Sequence, residues 1–194
     1  KGVVSVIEKV DNDALYELPN SMKPENVNVA AIIPITSKIL NDKRKLKLFN
    51  KTCKNVNDSK FIKNIYVVSY EKLKMPSKFI WINRKKIKNI DNLDVDKMMQ
   101  SILLYIEKLS DFPDSLMYVN YEYLDRPKIL FDNIISDAQF NGYDTVFPGF
   151  VDYSHYWFQN EDGDFKQTDK STKSRNQRLP TYRALYGLGC LTNS

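Results

Sequence analysis

Pro34, Ser37, Lys38 and Lys43 fall in the stretch AIIPITSKILNDKRKL, residues 31–46, where an apolar run gives way to a hydroxyl and then to a series of cations. A hydroxyl and an ammonium group directly after a strand suit an anion, phosphate above all, because open α/β sheets bind their ligands beyond the carboxyl ends of the strands. A helix starting there would add its exposed N–H groups to that attraction. The later cations Lys43, Arg44, Lys45 and Lys47 also fit the wet face of a helix, since runs of charge are commonly solvated.

Further candidates lie along the chain. Arg84 and Arg126 each follow a run that reads as a strand, where a loop side chain can reach a ligand over the sheet edge; a surface ion pair is the alternative. Glu122 and Asp125 offer oxygen ligands of the kind a magnesium ion prefers, and Asp91 and Asp94 are the other acidic candidates; helix caps and exposed ion pairs use the same residues. His155, the single histidine, stands among aromatics in SHYWF and cannot build a histidine-rich zinc site by itself. The rings around it suit either a ligand pocket or a contact between two copies of the chain. Asp162-Gly163-Asp164 has the form of a metal-binding Asp-x-Asp, but Asp162-Gly163 also reads as a hairpin turn.

The elements that must position these residues alternate strand and helix, the pattern of a mostly parallel sheet with crossover helices. Residues 29–35 are apolar on both faces, as a buried parallel strand requires. Residues 60–69, 78–82 and 116–119 supply further strands. Val95, Met98, Met99, Ile102, Leu103, Ile106 and Leu109 recur at helical spacing behind Asp94, a suitable N-cap. A second helix is expected from about Pro127 to Phe140, a single strand over NGYDTVFPGFV, a hairpin around Asp162-Gly163, and a last strand in ALYGLGCLTNS. Residues 1–25 have weak periodicity and read as an extension or the end of a preceding segment; residues 26–194 form the α/β domain.

Composition bounds the function. With 194 residues the chain is long enough for one sizeable core. Its 29 Lys and Arg against 24 Asp and Glu leave a net charge of +5, which permits an anionic partner without demanding one. Acids interrupt the basic residues throughout and no nucleic-acid-binding signature is present, so nucleic acid is not expected as a partner. No apolar run approaches the roughly 20 residues that span a bilayer, so no membrane helix is expected. Cys53 and Cys190 are too few and too far apart for a disulfide framework, and read as reduced thiols of a cytoplasmic protein.

In this order, the pieces resemble the acylneuraminate cytidylyltransferase family, which activates sialic acid and related 2-keto-3-deoxy sugars. AIIPITSKILNDKRKL is similar to the family's P-A-R-x-G-S-K-x-x-x-x-K-N in keeping Pro34, Ser37, Lys38 and Lys43. IYVVSYE resembles I-V-V-S-T-D, WINR places Arg84 where an arginine follows the third strand, and LMYVNYEYLDRP keeps Arg126. RNQRLPTYRALYGLGCL resembles R-Q-x-L-P-x-x-Y-x-x-N-G-A-I-Y through Gln177, Leu179, Pro180, Tyr182 and Gly187. The likeness runs from about Val29 to Asn193. The arginine and glycines that precede the family's serine are absent, and the family's downstream aspartate motif for Mg²⁺ is not reached.

The resemblance implies a Rossmann-like nucleotide-diphospho-sugar transferase fold, GT-A-like, with a β-hairpin in its C-terminal part. It implies transfer of CMP from CTP to an acidic sugar with Mg²⁺, and a possible homodimer. Pro34, Ser37, Lys38, Lys43 and Arg84 would bind the nucleotide, with Lys38 and Arg84 acting in catalysis. Arg126, Arg175, Gln177 and Tyr182 would bind the sugar, Arg175 by pairing with its carboxylate; the metal ligands are left unassigned. The missing arginine keeps a second reading open, a catalytically impaired nucleotide- or sugar-binding module of the same fold. A glycosyltransferase, resting on Asp162-Gly163-Asp164, is a third.

Overall fold

The structure, a computed structural model, describes residues 19–36, 38–123, 125–168 and 174–194, with Arg175 described by its backbone alone. Its first strand, β1 (Val29–Pro34), is buried along its whole length. Val29, Ala31 and Ile33 face one apolar cluster and Ala30 and Ile32 face another, so the sheet must be covered on both sides. Pro34 has no N–H to give a ladder and closes the strand; the next N–H, of Ile35, donates to Val68 O at 2.8 Å.

Helix α1 (Lys43–Asn57) covers the first side through Phe49, Cys53 and Val56. Burying a side chain such as Phe49, fully enclosed here, stabilises by about 1.5–3 kcal/mol. The chain returns as β2 (Ile62–Ser69) and continues to β3 (Phe79–Asn83), both parallel to their neighbours. Helix α2 (Val95–Glu107) then covers the other side with Met98, Met99, Ile102 and Ile106, the spacing anticipated above. Asp94 caps it by accepting from Lys97 N at 2.9 Å.

Next comes β4 (Ser115–Tyr118), parallel to β1 on the side away from β2, and then α3 (Leu130–Asn141), which returns to the α1 side. Gly142, with φ of 66°, closes α3 by donating its N–H to Ala138 O.

Two stretches differ from the sequence expectation. The single strand expected over residues 141–151 is split into β5 (Thr145–Val146) in the main sheet and β6 (Gly149–Asp152) outside it. Pro148 lies between them and cannot donate to a continuing ladder. The hairpin expected around Asp162-Gly163 is present as β7 (Trp157–Gln159) and β8 (Phe165–Gln167). The final stretch holds two elements rather than one. β9 (Thr181–Ala184) pairs with β6, a 3-10 turn spans Tyr186–Leu188, and β10 (Cys190–Asn193) enters the main sheet antiparallel between β4 and β5. The main sheet therefore runs β3-β2-β1-β4-β10-β5, mostly parallel and flanked by helices.

Candidate functional site

The chain winds outward from β1 to β2 and β3, then crosses to the opposite side of β1 to lay down β4. Because α1 and α2 cover opposite faces, their connections diverge where β1 and β4 meet, leaving a crevice at the carboxyl ends of these two strands. A cavity of about 190 Å³ opens there, lined by Pro34 at the end of β1 and Thr36 beyond it, by Tyr118 at the end of β4 with Asn120 and Glu122 beyond it, and by Arg84 and Asp91 from the segment after β3. Pro34 and Arg84, separated in sequence, are thus brought to one site.

Arg84 is 2% exposed, although it sits in a 3-10 turn (Arg84–Lys86) just past its strand. A guanidinium at that depth needs partners. Its Nε donates to Asp91 Oδ1 at 2.7 Å, Nη1 lies 3.9 Å from Met98 Sδ, and the Tyr70 ring stands beside it with 5.9 Å from Cζ to the ring centroid. Tyr70 donates its hydroxyl to Asp91 Oδ2, so both carboxylate oxygens are engaged. These hydrogen bonds, from Tyr70 first and Arg84 second, hold the Asp91 carboxyl below its ordinary range. The same bond to Asp91 raises the Tyr70 phenol. Among the described residues no acceptor lies within hydrogen-bond distance of Nη2, the Tyr70 hydroxyl interacts with the guanidinium, and Arg84 lines the cavity. The result is a buried cation, held by Asp91 beside the Tyr70 ring, in the wall of a small crevice.

A larger cleft of about 880 Å³ adjoins it, sharing Val95, Tyr118 and Asn120. Its walls come from the start of α2, from β4 and β10, and from Tyr123, Tyr186 and Gly187. Burial, followed by the nearby Tyr123 and Glu122, raises the Tyr118 phenol, which keeps it a neutral hydrogen-bonding group.

Lys38 is exposed just beyond β1, and Lys43 is exposed at the start of α1. Helix α1 begins only at Lys43, and Asp42 already accepts from Arg44 N and Lys45 N at 3.0 Å each. The N–H groups expected directly after Lys38 are therefore farther along and capped by a carboxylate. Ser37 lies outside the described residues, as does the side chain of Arg175, whose backbone forms a 3-10 turn with Asn176 and Gln177. Gln177 is exposed, and Tyr182 is 58% exposed on β9 opposite Val151. Neither lines these two cavities.

Arg126 has a different placement from the one the resemblance implies. It is buried, and Nε donates to Leu188 O at 2.9 Å, Nη1 to Thr52 Oγ1 at 3.0 Å and to Tyr123 O at 2.9 Å, Nη2 to Gly187 O at 3.1 Å and to Asn120 O. A guanidinium carries five N–H donors, and each has a protein acceptor. Burial lowers its pKa to about 10. Arg126 holds cleft-lining segments together from behind. Asp125 pairs with Lys51 at 2.6 Å on the surface, while Glu122 remains at the cavity. Asp162 and Asp164 flank the exposed β7–β8 turn, where Asp164 N donates to Asn160 Oδ1 at 2.7 Å.

Tyr118 and Asn120 were not among the residues singled out from sequence. The available signal was their position at the end of the strand that crosses to the far side of β1, legible only once strand order is known.

A mostly parallel, doubly wound sheet with a ligand crevice at its switch point and an antiparallel strand inserted beyond β4 defines a Rossmann-like nucleotide-diphospho-sugar transferase fold. Solved structures share it. The 2-C-methyl-D-erythritol 4-phosphate cytidylyltransferase of Francisella tularensis matches with a TM-score of 0.56 at 12% identity, over 86% of this chain and 72% of that one. The 4-diphosphocytidyl-2C-methyl-D-erythritol synthase of Anaerococcus prevotii gives 0.51 at 12%, over 90% and 73%. A CMP:2-keto-3-deoxy-manno-octonic acid synthetase complexed with CTP gives 0.52 at 7%, over 86% and 74%. At these identities the likeness is one of fold. No protein-family profile matches the chain, and no curated protein matches it.

Proposed function

We propose that this chain binds a cytidine nucleotide at the β1/β4 switch point and transfers CMP from CTP to an acidic 2-keto-3-deoxy sugar, such as sialic acid, placed in the adjoining larger cleft. The observation that carries this reading is Arg84: a guanidinium 2% exposed that lines the crevice where folds of this kind take ligands, with no acceptor for Nη2 among the described residues. Such a group is costly to bury and is justified by an electron-rich ligand. The resemblance at Pro34, Lys38 and Lys43 and the CTP bound by one structural neighbour support cytidine in particular.

In the reaction a sugar hydroxyl oxygen bonds to the α-phosphorus of CTP, its proton is lost, and the bond from that phosphorus to the leaving pyrophosphate breaks. Lys38, exposed beyond β1, is the proposed phosphate contact, and with Arg84 it would supply positive charge as the transferring group becomes more anionic. Ser37 and Lys43 complete the proposed nucleotide contacts. Magnesium commonly takes one or two carboxylates and completes its shell with phosphate and water; Glu122, at the cavity, fits that role. Arg175 remains the proposed partner of the sugar carboxylate, with Gln177 and Tyr182 beside it in sequence.

One observation favours the second reading, an impaired binding module: Arg126, a cation the resemblance assigns to the sugar, has all its donors committed to protein. A thermal-shift screen with each nucleoside triphosphate, with and without Mg²⁺, followed by pyrophosphate release with keto-sugar acids, separates the two. CTP stabilisation with turnover supports the transferase and CTP stabilisation without turnover supports the module. No response to any nucleotide overturns both. Lys38→Ala is expected to weaken CTP binding about tenfold, as for loss of one charge-assisted contact; unchanged affinity would remove Lys38 from the site.

A further inference from the structure

We infer that Asp91 and Tyr70 are positioning residues that aim the Arg84 guanidinium into the cavity and thereby set the affinity for the nucleotide; this rests on the reading of Arg84 given above. The geometry distinguishes aiming from plugging. A carboxylate that neutralised Arg84 as a competing anion would engage two parallel N–H groups at once, along the Nε/Nη2 or the Nη1/Nη2 edge, as a phosphate would. Asp91 instead takes Nε alone with Oδ1 at 2.7 Å, so that among the described residues Nη2 is left without an acceptor. Its second oxygen is held by the Tyr70 hydroxyl, so Asp91 is fixed at both ends.

The backbone supports the same arrangement. Asp91 lies in a 3-10 turn (Ile90–Asn92) entered through Asn89 at φ 57°, a left-handed conformation that asparagine tolerates better than most residues. Ile90 is buried in the apolar cluster that also holds Ile87, Met98 and Ile102, which anchors the turn to the α2 layer. Tyr70 follows β2, and Ser69 beside it accepts from Trp81 Nε1 at 3.0 Å and donates to Glu71 O at 2.6 Å, tying the ends of β2 and β3 together. The ends of β2 and β3 and the Asp91 turn are therefore braced around one guanidinium at the crevice. Asp91 is itself more than half exposed, so little of the core depends on it.

The test is calorimetric titration of CTP into the wild-type chain and into Asp91→Asn, Asp91→Glu, Tyr70→Phe, Arg84→Lys and Arg84→Lys/Asp91→Asn. Asp91→Asn is expected to weaken CTP about tenfold, the magnitude of a lost charge-assisted hydrogen bond, and Tyr70→Phe, which acts on Arg84 through Asp91, about threefold. Asp91→Glu should recover most of the affinity. In the Arg84→Lys background Asp91→Asn should cost less than about twofold, because its effect runs through the guanidinium. An equal loss in both backgrounds, an unchanged affinity in Asp91→Asn, or tighter binding overturns the inference while leaving Arg84 as a ligand contact. Full CTP affinity in Arg84→Lys, or no CTP binding by the wild type, overturns the underlying reading and the inference with it. Should Asp91→Asn fail to fold, Tyr70→Phe alone decides: unchanged affinity there rejects the brace.

Discussion

Arg126 Nη2 donates to the carbonyl of Gly187 at 3.1 Å, joining the loop that leaves β4 to the turn that leads into β10. With Thr52, Asn120, Tyr123 and Leu188 it forms a knot that binds α1, the β4 loop and the β10 approach to one side chain. Replacing Arg126 with Met leaves several buried carbonyls without donors. Such a change is expected to cost about 3 kcal/mol, a fall in melting temperature of about 6–12 °C for a domain of this size. Circular dichroism melts check it; a melting temperature within about 2 °C of wild type would show that the knot carries no stability.

Gly187 is the other half of that contact, and its lack of a side chain is used. A Cβ there would stand 2.3 Å from Tyr123 Cε2 and 3.1 Å from Asn120 Cβ. Gly187→Ala is expected to push the Tyr123 ring aside at a cost of about 1–3 kcal/mol. The displaced ring changes the shape of the larger cleft. A crystal structure of the variant with Tyr123 unmoved would contradict this.

The pH dependence of the Arg84–Asp91–Tyr70 brace follows from the lowered Asp91 carboxyl. A folded value below the unfolded one, about 3.9, means that the group binds protons more readily when unfolded. Its contribution is therefore present above the unfolded value and is lost as pH falls through the folded one. The stability difference between wild type and Asp91→Asn in urea titrations should be constant from about pH 5 to 8 and shrink below about pH 4. A difference that persists into strong acid would mean that the carboxylate charge is not what couples the three residues.

Thiol chemistry reports on the two faces separately. Cys53, on the buried side of α1, has its thiol pushed up to about 12 by burial, and burial also raises half-buried Cys190. Because the thiolate is the reacting species, both should label slowly with a disulfide reagent at about pH 8. Cys190, which lines the larger cleft, should react before Cys53. In denaturant the two rates should converge. Labelling of native Cys53 as fast as in denaturant would show that α1 is not packed as described.

How much of this was legible varied with the range of the interaction. Helix α2 was readable because its cap and its apolar spacing are local: Asp94, Met98, Met99, Ile102 and Ile106 lie within a few turns of one another. β1 was readable because burial on both faces leaves an unbroken apolar run. The division of residues 141–151 between two sheets was not, since both halves have strand-like residues and only their partners, β10 and β9, separate them. Arg84 could be placed past a strand, but its depth depends on α2 and the Asp91 turn closing over it. Arg126 was indistinguishable in sequence from a ligand contact because its acceptors at Gly187 and Leu188 are 61 and 62 residues away.

The sequence by itself determined an alternating α/β chain, its buried first strand, and a set of cations at strand ends suited to an anionic ligand. Periodicity and capping are properties of neighbouring residues, so they can be read without the fold. The tertiary structure alone decided which cation faces the crevice. The strand order β3-β2-β1-β4-β10-β5 creates the crevice between β1 and β4 that Arg84 lines, while α1, the β4 loop and the β10 approach together consume every donor of Arg126. Two arginines alike in sequence differ because a guanidinium's role is set by the acceptors that distant segments bring within about 3 Å.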